Sequence, residues 1–596
     1  MTSAAPFFGL RIATGALLAL GLQLPAVSQA GCLVKTLELP VRMVGHRAIA
    51  TVDINGSKVP LLVDSGAFFS FLTEAAAQQL NLSTRMLPEG IRIEGLTGGV
   101  TARMTTVKHL QMLHGDLPGV DFIVGGNEAG AGAMGLLGRN ILGFADTEYD
   151  LAHGLIRFVV PNDECENANM AYWAGDTPVS MLELLRDDRA RTPDIRAYLL
   201  LNGHKVTALF DTGATTTVSL DAAHDAGVKD ADMKPLGRMT GAGRGMADAW
   251  SASFKSVELG GETVNHDRLE IGDFELRGID MLVGIDFFLS HHVYVSRKQS
   301  RMYFTYNGGP VFDLNASAPP DPAASAADAG ASEALSADGY ARRGAASLAR
   351  KDTAAALADL DRACALEPGN AAFFATRASV HLAQKEPAKA LADLDTALRL
   401  DPGQAEARFQ RAQIRRFRNE RDAALEDLST LDKTLPPQSQ TRLAMAQMYE
   451  SLDMPAQAPP QWNDWIRAHR HDIALEHAWN GRCWVGAELG IELDKALDDC
   501  NEAVDADSKN ASYLDSRGWV YLRLGKLPKA KADFDRSLAI RPGGAWSLYG
   551  RGLVQLGLGQ MAPGQADLAA ARKIESDIDA RIKRAGLPAG QEPAPE

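Results

Sequence analysis

Two aspartates occupy near-identical settings 147 residues apart. Asp64 lies in Val59-Pro-Leu-Leu-Val-Asp-Ser-Gly-Ala67, and Asp211 in Val206-Thr-Ala-Leu-Phe-Asp-Thr-Gly-Ala214. A carboxylate ending an apolar, β-prone run is costly to bury without a partner or a task. A single Asp-x-Gly of this kind is ordinarily an Asx turn, but the recurrence makes each acid the natural partner of the other. Carboxylates about 3 Å apart repel by about 5 kcal/mol at an effective dielectric near 20, so such a pair shares one proton and titrates as a unit. The ionised member can take a proton from a bound water while the protonated member donates to a carbonyl oxygen. Which acid is the base is not readable from the sequence.

The flanking pattern supplies the elements that would bring the acids together. Asn55-Gly56 and Asn202-Gly203 each lie nine residues before an Asp, between alternating apolar residues, which predicts a hairpin whose second strand ends at the acid. Glycine-punctuated segments follow, Glu94-Gly-Leu-Thr-Gly-Gly-Val100 and Met239-Thr-Gly-Ala-Gly-Arg-Gly245, with Gly95, Gly98 and Gly99 matched by Gly241, Gly243 and Gly245. Such glycines let backbone approach a ligand closely. Further on, Leu136-Leu137-Gly138-Arg-Asn-Ile-Leu142 is echoed at an offset of 146 by Leu282-Val283-Gly284-Ile-Asp-Phe-Phe288. Strand-turn-strand patterns then recur from Tyr149 to Phe158 and from Tyr294 to Phe304.

This order of features resembles the aspartic peptidases, in their retropepsin-like branch, and Gly138-Arg-Asn-Ile-Leu142 is especially close to the retroviral form. The resemblance covers roughly residues 35 to 312, twice over, as in a retropepsin dimer fused into one chain. It implies an all-β, two-lobed protease with Asp64 and Asp211 as catalytic dyad, Ser65 and Thr212 hydrogen-bonding across the lobes, Gly66 and Gly213 shaping the loops, Gly138 and Gly284 as structural glycines, and flaps at the glycine-rich segments. Ala67 and Ala214 match the retroviral pattern and imply a less acidic optimum than that of pepsins. The implied substrate is an extended polypeptide held by main-chain hydrogen bonds, with no metal or cofactor, and one chain already carries both acids, so the expected active species is a monomer. Two departures stand out: neither flap has the tyrosine familiar from pepsins, and Phe68-Phe69 after the first motif are bulkier than Thr215-Thr216 after the second, so the cleft is expected to be asymmetric. The competing reading is a non-catalytic adaptor whose protease-like half only clamps peptides.

The first thirty residues read as a secretory signal, with Arg11, an apolar run from Ile12 to Leu24, and small residues before a cut at Gly31. That run is shorter than the roughly 20 residues needed to span a bilayer. The expected location is the bacterial periplasm or beyond, with attachment to a membrane only if Cys32, in Ala30-Gly31-Cys32, is lipidated. Export permits disulfides; of the five cysteines, Cys32 with Cys165 and Cys483 with Cys500 are the candidate pairs, leaving Cys364. His291-His292 and His469-Arg-His471 lack a metal-site frame. The net charge of −14, with no basic patch, argues against a nucleic-acid partner.

From residue 313 to 336 the composition shifts to Ala, Ser, Pro, Asp and Gly, as in an exposed linker. Beyond it Pro368, Pro402 and Pro436 recur at 34 residues, with small residues in step (Gly344, Ala378, Ala412), which is the tetratricopeptide (TPR) period. The expected organisation is therefore multidomain: signal 1–30, lobe 1 over 31–165, a connection 166–190, lobe 2 over 191–312, the linker, an all-α solenoid of about seven TPR repeats over 337–585, and a disordered tail 586–596. A solenoid of this type presents a groove for a protein partner.

Overall fold

The computed structural model describes residues 32–89, 91–113, 115–186, 194–241, 243, 245–265, 267–276, 278–312 and 335–588. The signal segment, most of the linker and most of the tail lie outside the described residues, as does part of the connection between the lobes. Two compact units divide the chain, and the division falls at Ala407/Arg408 rather than at the linker.

In the first unit the two expected hairpins form. Strand Arg47–Ile54 pairs antiparallel with Ser57–Val63, and Arg196–Leu201 with His204–Phe210. Asn55 and Gly56 take φ of 52° and 89°, Asn202 and Gly203 take 49° and 81°, so Asn-Gly meets the left-handed requirement of a tight hairpin turn in both copies. Each turn asparagine is tied to the next hairpin of its lobe: Asn55 Oδ1 accepts from the Lys108 and His109 amides at 3.0 Å, Asn202 Oδ1 from those of Lys255 and Ser256 at 2.6 and 3.3 Å. The strand that ends at each acid then pairs in parallel with the strand leading to the later glycine, Val63 beside Leu137 and Phe210 beside Val283.

Below these, six strands from both lobes form one continuous sheet. Val34–Val44, Leu155–Pro161 and Asp146–Asp150 come from lobe 1, while His291–Ser296, Arg301–Tyr306 and Ser180–Glu183 come from the second half. The seam is antiparallel, with Thr147, Glu148 and Tyr149 opposite Val295, Tyr294 and Val293. Glu148 is fully buried there; burial would raise its pKa, but His292 Nε2 at 2.8 Å and Arg157 Nη1 at 2.5 Å hold it below the usual carboxylate range. His292 belongs to lobe 2 and Glu148 to lobe 1, so this pair joins the halves beneath the cleft. A disulfide between Cys32 and Cys165 closes the lobe 1 end of the sheet.

The paired helices begin at Ala337. The first, Ala337–Ala349, packs on the protease body: Ala345, Ala346 and Ala349 share its hydrophobic core, and Arg350 Nη1 donates to the Leu289 carbonyl at 3.4 Å. Its partner is Thr353–Leu366, and Ala371–Ala383 with Pro387–Leu400 follows in the same unit. An arginine on the first helix of each pair grips an aspartate 16 residues on, Arg343 to Asp359 and Arg377 to Asp393, each through two hydrogen bonds.

The second unit repeats the device with Arg411–Asp427, Arg517–Asp533 and Arg551–Asp567, and with Arg482–Asp499 at 17 residues. Small residues sit where its helices cross; a Cβ on Gly518 would lie 2.7 Å from the Phe534 ring. Cys483 and Cys500 are bonded between the antiparallel helices Leu475–Leu489 and Leu493–Ala506, and Cys364, in the first unit, is a buried free thiol. No described helix is long and apolar enough to cross a membrane.

Candidate active site

Asp64 and Asp211 meet at the junction of the lobes. Their backbone amides are anchored on the neighbouring strands, Asp64 N to Leu137 O at 3.0 Å and Asp211 N to Val283 O at 2.8 Å. The residues that follow interlock reciprocally. Ser65 N donates to Thr212 Oγ1 at 3.1 Å and Thr212 N to Ser65 Oγ at 3.0 Å; Ser65 Oγ donates onward to Phe210 O at 3.0 Å and Thr212 Oγ1 to Val63 O at 2.9 Å. Both hydroxyls are buried, and the four bonds tie three polar groups of each lobe to three of the other.

The glycines permit this approach. A Cβ on Gly66 would lie 2.3 Å from Asp211 Oδ2, and one on Gly213 2.6 Å from Asp64 Cγ. Neither can be replaced without displacing the opposite carboxylate. Asp211 Oδ1 accepts from the amides of Gly213 at 2.8 Å and Gly66 at 3.1 Å; Asp64 Oδ1 accepts from the Ala67 amide at 2.6 Å. Burial raises both acids above the ordinary carboxylate value, Asp64 further because the charge of Asp211 adds to it, while the two amides and the neighbouring Arg139 restrain Asp211. Both acids are raised, so the pair holds one proton between them and titrates as a unit.

The flaps reach each other across the cleft. The hairpin Ile93–Gly95/Gly98–Val100 meets the longer hairpin Lys234–Thr240/Met246–Ser253 tip to tip. Gly245 N donates to Thr97 O at 2.7 Å, Thr97 Oγ1 to Gly243 O at 3.2 Å, and Asn127 Nδ2 to the carbonyls of Gly241 and Gly243 at 2.7 and 3.0 Å. A Cβ on Gly243 would come 2.4 Å from Gly98 O and one on Gly241 2.9 Å from Leu96 Cβ. Of the first-flap glycines, Gly98 has a φ of +107° and Gly99 has open space around it; Gly95 lies in the strand.

Gly138 and Gly284 lie against the loops that carry Asp64 and Asp211, and they fix how the two loops correspond. Arg139 N donates to Ala67 O and Ile285 N to Ala214 O, at 2.9 and 2.8 Å; Gly138 N donates to Ser70 Oγ and Gly284 N to Thr216 Oγ1, at 2.9 and 2.8 Å. Ala67 thus matches Ala214, and Ser70 matches Thr216. Two residues, Phe68 and Phe69, stand in lobe 1 where lobe 2 has Thr215 alone. The pairing of Phe68-Phe69 with Thr215-Thr216 drawn from the sequence is corrected accordingly: Phe69 takes the place of Thr215, both crowding the later glycine, and Phe68 is additional.

Sequence reasoning missed two residues at the site. Tyr149, from the interlobe sheet, is buried beneath the loops, hydrogen-bonded with Ser65 and pushed up to about 12 chiefly by burial. Arg139 Nη1 reaches Asp194 Oδ2 at 3.6 Å across the lobe boundary, and burial lowers its pKa. Arg139 is visible in the Gly-Arg-Asn motif, whereas nothing near Tyr149 in sequence marks it.

Known proteins match the two parts separately. A family described as gag-polyprotein putative aspartyl protease matches residues 50–143, and one described as aspartyl protease matches residues 197–287. Among solved structures, a tetratricopeptide repeat protein from Parabacteroides merdae is 18% identical over 42% of this chain and 98% of its own, with a TM-score of 0.32. YrrB, described as a TPR protein with an unusual peptide-binding site, is 18% identical over 38% of this chain and 95% of its own, at 0.22. The C-terminal part of a TPR repeat-containing protein from Cytophaga hutchinsonii is 13% identical over 37% and 88%, at 0.30. No curated protein matches the chain in sequence. The N-terminal part is an aspartic-protease-like pair of lobes. It is of the retropepsin-like kind, and the helices that follow are a TPR solenoid.

Proposed function

We propose that the chain is an exported aspartic endopeptidase that hydrolyses extended polypeptides with Asp64 and Asp211. One observation carries this reading: two part-buried carboxylates face each other across a reciprocal Ser65–Thr212 interlock, each within touching distance of the other lobe's glycine. Water bound between the acids loses a proton to the ionised member of the pair, whose charge the Gly66, Gly213 and Ala67 amides stabilise. Its oxygen attacks the peptide carbonyl as the protonated member of the pair donates its proton to the carbonyl oxygen, and the resulting gem-diol collapses with a proton passed to the leaving amine. The flaps exclude bulk water from this step. Both acids come from one chain, which supports a monomeric active species.

The Cys32–Cys165 and Cys483–Cys500 disulfides support export to an oxidising compartment, and the first of them occupies the sulfur that a lipid would need. We assign the TPR region the binding of a protein substrate or partner, the use to which grooves of this type are commonly put.

The test is cleavage of reduced casein by the mature chain between about pH 3.5 and 7.5, with Asp64→Asn and Asp211→Asn alongside. Cutting by the wild type and loss in both folded variants is the expected result. Cutting that persists in either variant refutes the dyad, and absence of cutting across the range with intact peptide binding favours the adaptor.

A further inference from the structure

The extra residue in the first catalytic loop changes what each side of the cleft can recognise. Phe68 is 43% exposed, whereas its neighbours Phe69 and Phe71 are buried. Its ring lies 6.3 Å from that of Phe71, edge-on, and 6.2 Å from that of Phe69. Phe69, Phe71 and Ile123 cluster with Ile93, and Val100 packs against them; Ile93 and Val100 are flap residues. A continuous apolar wall therefore runs from the catalytic loop to the flap on lobe 1, and Phe68 is its accessible end.

The same wall on lobe 2 is polar. Strand register matches the positions directly: Phe71 pairs with Leu136 and Ile123 as Thr217 pairs with Leu282 and Glu270. Phe69, Phe71 and Ile123 thus become Thr215, Thr217 and Glu270. Ile123 is 3% exposed, whereas Glu270 is exposed and accepts from Thr215 Oγ1 at 3.3 Å. Three matched positions change from apolar to polar or anionic, and the one insertion falls on the apolar side.

We propose that the cleft reads the two sides of the scissile bond differently: a large apolar or aromatic side chain is taken against Phe68 on lobe 1, and a basic side chain against Glu270 on lobe 2. The proposal rests on the protease reading above and names its substrate class, a polypeptide with an apolar residue on one side of the cut and a basic one on the other. A desolvated aromatic wall rejects a charged side chain, and an exposed carboxylate attracts a cation without requiring burial. Phe68 and Glu270 are specificity residues, not members of the dyad.

Two measurements test this. Cleavage sites in a diverse peptide mixture are mapped by mass spectrometry for wild type, Phe68→Thr and Glu270→Lys. Affinities of two peptide series, varied on one side or the other of a fixed centre, are measured by fluorescence anisotropy for Asp64→Asn with and without each substitution. Wild type is expected to show apolar enrichment on one flank and Lys/Arg enrichment on the other. Phe68→Thr is expected to cut the apolar preference about tenfold and spare the basic one, and Glu270→Lys to do the converse. Equal preferences on both flanks, or a Phe68→Thr profile that matches wild type, overturns the proposal while leaving the protease reading intact. Asymmetric binding to Asp64→Asn without any wild-type cleavage upholds the unlike subsites and refutes the protease reading instead.

Discussion

Asp286→Asn should make the protein more stable, and the gain should depend on pH. Asp286 is 3% exposed and its carboxyl is pushed up to about 7 by burial, against which Thr216 Oγ1 at 2.6 Å and the Phe287 amide at 3.1 Å act. In the unfolded chain the same group titrates near 3.8. Between these values the folded protein holds a proton that the unfolded chain has released, so stability falls as pH rises through the window and is flat above it. A shift of about three units corresponds to about 4 kcal/mol in all, of which about 3 kcal/mol is lost between about pH 4.5 and pH 8. Asparagine reproduces the protonated acid without the titration. Lobe 1 already carries it: Asn140 Oδ1 accepts from Ser70 N and Oγ at 2.7 and 2.8 Å in the matching place. Urea unfolding of wild type and Asp286→Asn, followed by fluorescence and circular dichroism across that range, should give curves that coincide within about 1 kcal/mol at the acid end and separate by about 3 kcal/mol at the alkaline end. Parallel pH profiles, or a variant less stable than wild type at pH 8, would refute the reasoning.

Other outcomes follow from the same geometry. Gly66→Ala and Gly213→Ala, by driving a methyl group into the opposite carboxylate, should each lower kcat/KM at least about a hundredfold with the fold retained by circular dichroism. Thr212→Val removes a hydroxyl that bonds Val63 O and Ser65 N, leaving both unsatisfied; a loss of about 2–4 kcal/mol in chemical denaturation is expected. Replacing Cys32 and Cys165 together by serine opens a span of 133 residues and should cost about 2–5 kcal/mol, read as a lower urea midpoint that wild type reaches only after reduction. Because burial raises both acids and each adds to the other's cost of ionising, the alkaline limb of kcat/KM should lie above the ordinary carboxylate range, and loss of activity there should follow removal of the proton the pair shares.

The repeats in the sequence made much of this legible. Asn-Gly turns, the acid that ends each strand and the 34-residue helical period are local signals with fixed spacing, and each appears in place. The extra loop residue was present only as a change of offset, from 147 at the acids to 146 at the later glycines. Side-by-side reading aligned Phe-Phe with Thr-Thr because nothing local forbids it; the amides of Gly138 and Gly284 decide otherwise. Tyr149 was illegible because its partner, Ser65, is 84 residues distant, in the loop that follows Ser57–Val63. The composition of residues 313–336 suggested a clean separation of enzyme and repeats. Small residues at helix crossings look the same in sequence whether they meet the next helix or another domain, so the burial of Ala345, Ala346 and Ala349 in the protease core could not be read in advance.

The helix Ala337–Ala349 changes where the protease-like half stops. Arg342 lies against Gly154, and Ala349 contributes a backbone hydrogen bond to His46. A protease shortened at the change in composition would carry an uncovered apolar strip along Val34–Val44 and the turn after Asp150, the site at which partly folded chains adhere to one another. The protease-like body therefore runs through Ala349, and the first helix of the solenoid serves as its outer wall as well as the beginning of the repeats.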